Sequence, residues 1–175
     1  MSTRILFVRA VNVGGVALPV AEFREILAAL GAEAVRSHIA SGNAIVELTT
    51  DAAEFDRAVE AALTARYGWR REVMSRDVAE LRSALARHPF DVVDPKRSFV
   101  SFLGSAPDDA AIEFAADVPR GDDEWAVDGA ELHLRYAHGA GRAQLDANRL
   151  MKRLGVIGTA RNLRTVRAVL EIAGG

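Results

Sequence analysis

The chain has 175 residues, 50% of them hydrophobic and 26% charged, with a formal net charge of −2. That is enough apolar material for one compact domain or two small lobes, and it excludes a disordered chain. Charges interrupt every apolar run well short of the roughly 18 residues a membrane span needs. The absence of cysteine excludes disulfides, zinc–thiolate sites, iron–sulfur clusters and cysteine nucleophiles. No long apolar stretch follows Met1, so the expected compartment is the cytoplasm and no membrane partner is expected.

The first predicted element is a β-rich run, Ile5-Leu-Phe-Val8, ended by Arg9 and a loop holding Gly14 and Gly15. Pro19 suits the first turn of a helix, in which Phe23, Ile26, Leu27 and Leu30 fall on one face before Gly31. Val35 to Ile39 and Ala44 to Leu48 read as strands joined by Ser41-Gly42-Asn43. Asp51 and Glu54 have capping-box spacing and open a second helix, with Phe55, Val59, Ala62 and Leu63 inward. Trp69 to Met74 reads as a fourth strand. The order β-α-β-β-α-β is that of a split βαβ, or ferredoxin-like, arrangement.

A third helix is expected from about Ser75 to the His88-Pro89 step, followed by a linker through Pro95. Ser98 to Leu103 reads as a strand and Ser105 to Asp108 as the opening of a short helix. Asp128-Gly129 sits between two strand-like runs, Glu124 to Val127 and Glu131 to Tyr136, as a hairpin turn does. A helix near Arg142 to Leu154, a short strand at Val156-Ile157 and a closing helix from Leu163 to Ile172 complete the chain. The second half therefore echoes the first. The expected fold is α+β: two related ferredoxin-like lobes in tandem with a C-terminal helix, divided as 1–94 and 95–175.

Charge is uneven in the second half. Residues 106–131 carry nine acids against Arg120 alone, and from Leu132 onward the sign reverses. A basic segment beside an acidic one reads either as a phosphate-binding face or as two surfaces that neutralise each other. The pI near 6.1 favours mutual neutralisation. Arg142, Arg149 and Arg153 share one helix face, read as solvated.

Topology nominates one candidate site. In a split βαβ sheet the end of the first strand lies beside the start of the third. That brings Arg9, Asn12, Gly14 and Gly15 next to Ser41, Gly42 and Asn43. Backbone amides in such glycine loops can cradle an anion, and asparagine can both donate and accept. Each loop taken alone reads equally well as a turn built on positive-φ residues. Thr159, Arg161 and Asn162 form a second group near the expected last helix. There Thr159 or Asn162 can serve as cap, and a cation at the helix start calls for an anion or a carboxylate to offset the macrodipole. Asp122, Asp123 and Glu124 are the carboxylates the chain itself supplies for that.

Stronger signatures are missing. The loop from Asn12 lacks the Gly-Lys-Ser/Thr ending of a P-loop and the spaced glycines of a dinucleotide fingerprint. An RNA-recognition surface needs aromatic side chains where the third strand has Asn43, Ile45 and Leu48. His38, His88, His133 and His138 show no metal-ligand spacing, and His133 reads as a partly buried strand residue. Ser41 is not in a nucleophile elbow. No nucleophile–base pair can be nominated, so whether the protein is an enzyme stays open; no cofactor or metal is called for.

At these same residues the chain resembles a known family. Arg9-Ala-Val-Asn-Val-Gly-Gly15, Ser41-Gly-Asn43 and Thr159-Ala-Arg-Asn162 with Thr165-Val166 are similar to the three signatures of the bacterial domain-of-unknown-function family 1697. His88-Pro-Phe90 stands where members often carry Asn-Pro-Phe. The resemblance runs along essentially the whole chain, which makes it one family unit. It implies an α/β fold of two related lobes in a small cytoplasmic protein without an established activity. The chain departs from the pattern at Ala10, at Val16-Ala17-Leu18 where members carry a lysine, and at Ile157-Gly158 before Thr159.

The leading expectation is a protein that binds a small polar or phosphate-bearing ligand through Arg9, Asn12, Gly14, Gly15, Ser41, Gly42 and Asn43, completed by Thr159, Arg161 and Asn162. The alternatives are nucleic-acid binding through the basic C-terminal helices, a protein–protein interaction module, and an enzyme acting on a nucleotide or sugar phosphate at the same loops.

Overall fold

Strand β1 (Ser2–Val8) is the central element of the N-terminal half. It pairs antiparallel with β3 (Asn43–Leu48) on one side and with β4 (Val73–Asp77) on the other. Strand β2 (Glu33–Ser37) adds to β3, giving the antiparallel order β2-β3-β1-β4. The computed structural model describes residues 1–12 and 14–174. It divides into two compact units, one of Met1–Arg82 with the stretch from Ala168 onward, the other Ser83–Arg167.

Two helices cover one face of the first sheet. Helix α1 (Val20–Ala29) begins after Pro19 and buries Phe23 and Leu27, one turn apart. Helix α2 (Ala52–Tyr67) is capped by Asp51, whose carboxylate accepts the Glu54 N–H at 2.9 Å, and it ends at Gly68 with φ +73°. Phe55, Val59 and Leu63 point from α2 onto Leu6, Val8, Ala44, Val46 and Val73. Each such fully buried side chain contributes about 1.5–3 kcal/mol. Ile5, Phe7 and Ile45, on the other face, are equally buried. That is why the first strand reads as a continuous apolar run instead of an alternation.

Two boundaries differ from expectation for local reasons. The fourth strand starts at Val73, because Trp69 stacks on Tyr67 at 5.1 Å and the Val73 N–H is held by the Glu60 carboxylate. Helix α3 (Val78–Ala86) starts at Val78, not near Ser75. Asp77 accepts the Glu80 N–H at 2.7 Å while Glu80 accepts the Asp77 N–H at 2.6 Å, a reciprocal capping box that fixes the start.

The second unit repeats the element order. It contains β5 (Ser98–Leu103), α4 (Asp109–Ala115), β6 (Glu124–Asp128), β7 (Glu131–Arg135), α5 (Ala147–Arg153) and β8 (Gly158–Asn162), followed by α6 (Leu163–Gly174). Its sheet has the order β6-β7-β5-β8, again antiparallel throughout. The hairpin turns at Gly129, φ +58°. Leu103, Leu132, Leu134, Leu150 and Leu154 form its core.

The C-terminal segments carry the larger corrections. Residues 140–142 form one 3-10 turn, and α5 begins only after Asp146, which accepts the Asn148 and Arg149 N–H groups at 3.0 Å. The last strand lies at 158–162 instead of 156–157. Thr159 and Arg161 are therefore strand residues opposite Phe102 and Val100, and not helix-start residues. Gly158 permits this close pairing: a Cβ there would lie 2.7 Å from Leu103 Cδ2 and 3.0 Å from the Phe102 carbonyl.

Candidate functional site

The pairing of β1 with β3 places Phe7 opposite Asn43. Val8 N–H then donates to the Gly42 carbonyl at 2.8 Å. A Cβ on Gly42 would stand 2.6 Å from Val11 Cγ2 and 3.0 Å from Val8 Cβ, so only glycine fits at φ +70°. The loop after β1 and the turn before β3 are thus packed together, and Arg9, Asn12, Gly14, Gly15, Ser41, Gly42 and Asn43 gather at one edge of the first unit. Val13 lies outside the described residues.

Both asparagines hold the loops themselves, whereas the sequence suggested that they orient a ligand. Asn12 Nδ2 donates to the Ala40 carbonyl at 2.7 Å and to the Leu18 carbonyl at 3.3 Å, while its Oδ1 accepts the Leu18 N–H at 2.9 Å. Asn43 is buried and donates to Ser41 Oγ at 2.7 Å and to the His38 carbonyl at 3.2 Å. The backbone pays for this arrangement in strain. Ala10, Asn12 and Ile39 stand at φ +51°, +57° and +50°. For Ile39, β-branched and 57% exposed, that is an uncommon conformation. Gly14 and Gly15 are exposed in left-handed conformations, with open space where a Cβ would be.

Charge at the edge is mainly positive. Arg9 Nη1 lies 3.1 Å from the Glu72 carboxylate, and the Arg9 N–H donates to the Glu72 carbonyl at 2.9 Å. Partial burial raises the Glu72 carboxyl, but its own backbone N–H, Arg9 and Arg70 more than offset this, and the net shift is downward. Arg71 Nε donates to the Ala10 carbonyl at 3.3 Å and its guanidinium lies over Trp69. Glu72, Arg70 and Arg71 escaped the sequence reading, which placed them in a strand.

The second group lies in the second unit. Arg161 Nη1 donates to Thr159 Oγ1 at 2.7 Å and to the Ala160 carbonyl at 2.8 Å, and burial pushes its guanidinium down to about 10. Asn162 is the cap of α6, its Oδ1 accepting the Thr165 N–H at 2.9 Å. The carboxylates expected to offset these arginines are engaged elsewhere. Asp123 accepts the N–H groups of Ala137, Gln144 and Leu145 at 2.9, 2.7 and 2.9 Å. Glu124 pairs with Arg135, and Asp122 lies 3.3 Å from His138.

In the first unit, buried Ser75 donates to Asp56 Oδ2 at 2.7 Å and accepts from Arg4 Nη2 at 3.2 Å. Burial pushes the Asp56 carboxyl up to about 6, against the hydrogen bond from Ser75 and the charge of Arg4. Ser75 is 6% exposed, and its hydroxyl is shared between Asp56 and Arg4. Among the described residues no group of three or more histidines and acids could hold a metal ion. An open cleft of about 170 Å³ in the second unit is lined by Asp91, Asp94, Arg97, Ser98 and Arg135 among others. Its arginines are already used, Arg97 on the Ala137 carbonyl and Arg135 on Glu124.

A family model described as "Protein of unknown function (DUF1697)" matches residues 1–133. In fold, the chain is similar to the conserved bacterial protein SP0830 from Streptococcus pneumoniae, with a TM-score of 0.75 and 19% identity over 100% of this chain and 99% of that one. No curated protein matches. No helix among the described residues is long and apolar enough to cross a membrane.

Proposed function

We propose that this chain, which belongs to the DUF1697 family of proteins of unknown function, binds a small anion, such as a phosphate-bearing metabolite, at the glycine loop after β1. The observation that carries the proposal is the strain concentrated there. Three non-glycine residues in two facing loops, Ala10, Asn12 and Ile39, hold left-handed conformations at a cost of about 1–3 kcal/mol each. Asn12 and the Ala10 carbonyl are held by hydrogen bonds, and the backbone of Gly14 and Gly15 beside them lies open at the surface. Consecutive left-handed glycines offer N–H groups to an anion, and Arg9, Arg70 and Arg71 surround the single acid Glu72.

In this reading Arg9 and the glycine backbone contact the anion, and the asparagines are positioning residues that fix the loops. Thr159, Arg161 and Asn162 are read as a separate polar group within the second unit. Each unit is read as a ferredoxin-like lobe, supported by the element order and the two equivalent strand orders. The nucleic-acid alternative, through the basic C-terminal helices, has one cation already engaged, since Arg153 is 3.4 Å from Asp117 and lies over Phe114.

Glu72 is the internal competitor for Arg9, which gives a signed test. Calorimetric titration with inorganic phosphate and with a nucleoside monophosphate should show tighter binding for Glu72→Gln than for the unmodified chain, and weaker binding for Arg9→Ala. Equal affinity across the three proteins would overturn the assignment.

A further inference from the structure

Two imidazoles meet in the second unit, where the proposed function does not use them. His88 follows α3 and precedes Pro89; His133 is the middle residue of β7 and is 0% exposed. Their Nδ1 atoms are 3.1 Å apart, with ring centroids at 5.2 Å and the rings crossed at 67°. Phe90 meets His88 edge-on at 5.6 Å. Both Nε2 atoms are buried and have no hydrogen-bond partner among the described residues. The charges around the pair are Arg87, Asp128, Glu131 and Arg167. Arg87 lies 2.6 Å from Asp128 and 4.0 Å from Glu131, and Arg167 on α6 acts on His88.

The neutral pair can make one internal bond, with one ring presenting Nδ1–H and the other its lone pair. A first added proton must sit on a buried Nε2 that has no acceptor. A second sets N–H against N–H across 3.1 Å and ends the contact. Asp128, the carboxylate whose charge favours a protonated His133, is already the ion-pair partner of Arg87.

We propose that the His88–His133 contact is an acid-sensitive latch: it fastens the segment after α3 to β7 at neutral pH and releases it when the rings take up protons. Burial, then His133 and Arg167, push the His88 imidazole down to about 4. Burial and Arg87 lower His133 against the pull of Asp128. An imidazole whose folded value lies below its unfolded value of about 6.5 favours the folded form above that pH. The contribution is lost as pH falls from there towards 4.

Hydrogen exchange of the full chain at about pH 7 and about pH 4.5, corrected for intrinsic rates, reads the latch directly. Amides of residues 84–97 and of β7 should lose protection about tenfold or more on acidification, relative to those of β1 and β3. His88→Asn removes the facing ring and should flatten that loss; His133→Leu is the second variant should the first fold poorly. In the unmodified chain, NMR titration should find His88 protonating well below the ordinary range and His133 shifted downward. No acid-dependent loss in this segment, the same loss in both variants, or ordinary titration of both His88 and His133 would overturn the proposal.

Discussion

Asn12 reaches the Ala40 carbonyl at 2.7 Å across 28 positions of chain, and this single carboxamide joins the glycine loop to the turn before β3. It also bridges both backbone groups of Leu18. Asn12→Ala should lower stability by about 1–3 kcal/mol, because it leaves backbone groups unpaired and keeps a left-handed residue without its hydrogen bonds. Asn12→Gly loses the same bonds but relieves the strain, so it should fall between the two. Urea midpoints for the three proteins separate strain from hydrogen bonding.

Asp123 holds the second unit in a comparable way. Its carboxylate, 2% exposed, takes three backbone N–H groups from the segment between β7 and α5. Asp123→Ala leaves those donors buried without an acceptor, at a cost of about 3 kcal/mol or more. The expected result is a lower urea midpoint together with faster exchange at the Ala137, Gln144 and Leu145 amides.

Asp56 gives a pH dependence opposite to that of the histidine pair. Its folded value of about 6 lies above the ordinary aspartate value of 3.8, so the folded chain binds the extra proton between those values. That stabilises the fold at low pH and is lost as pH rises through about 6. Asp56→Asn should therefore raise stability at pH 7 by about 1 kcal/mol, with the gain fading near pH 4. Thermal unfolding at the two pH values, followed by Trp69 emission in the first unit, checks the sign.

Gly158 is required by close approach and not by its dihedral angles. Gly158→Ala forces a Cβ against Leu103, Ser101 Oγ and the Phe102 carbonyl, an overpacking expected to cost about 1–3 kcal/mol. The loss should appear as faster exchange along β5 and β8.

Much of the fold was legible because its signals are local. Asp51 with Glu54, the Asp128-Gly129 turn and the Phe23/Leu27 spacing each announce a boundary or a face, and the structure uses them so. The same kind of signal was missed at Asp77 and Glu80, whose reciprocal caps move the start of α3 past Ser75. Long-range pairing was harder to see. Thr159-Ala-Arg looks like the start of a helix, and only its register against Phe102 and Val100 makes it a strand. At the candidate site, topology foretold the meeting of the two loops, but not that Asn12 and Asn43 spend their amides on the protein. The His88–His133 contact joins positions 45 residues apart, and no spacing in the sequence pairs the two.

The central claim is an anion at the glycine loop, and amide chemical-shift mapping during a titration with inorganic phosphate tests it most directly. The largest saturable shifts are expected at Arg9, Gly14, Gly15 and Gly42, with those of β6 and β7 unmoved. Saturable shifts centred on other residues, or none at the glycine loop, would contradict it.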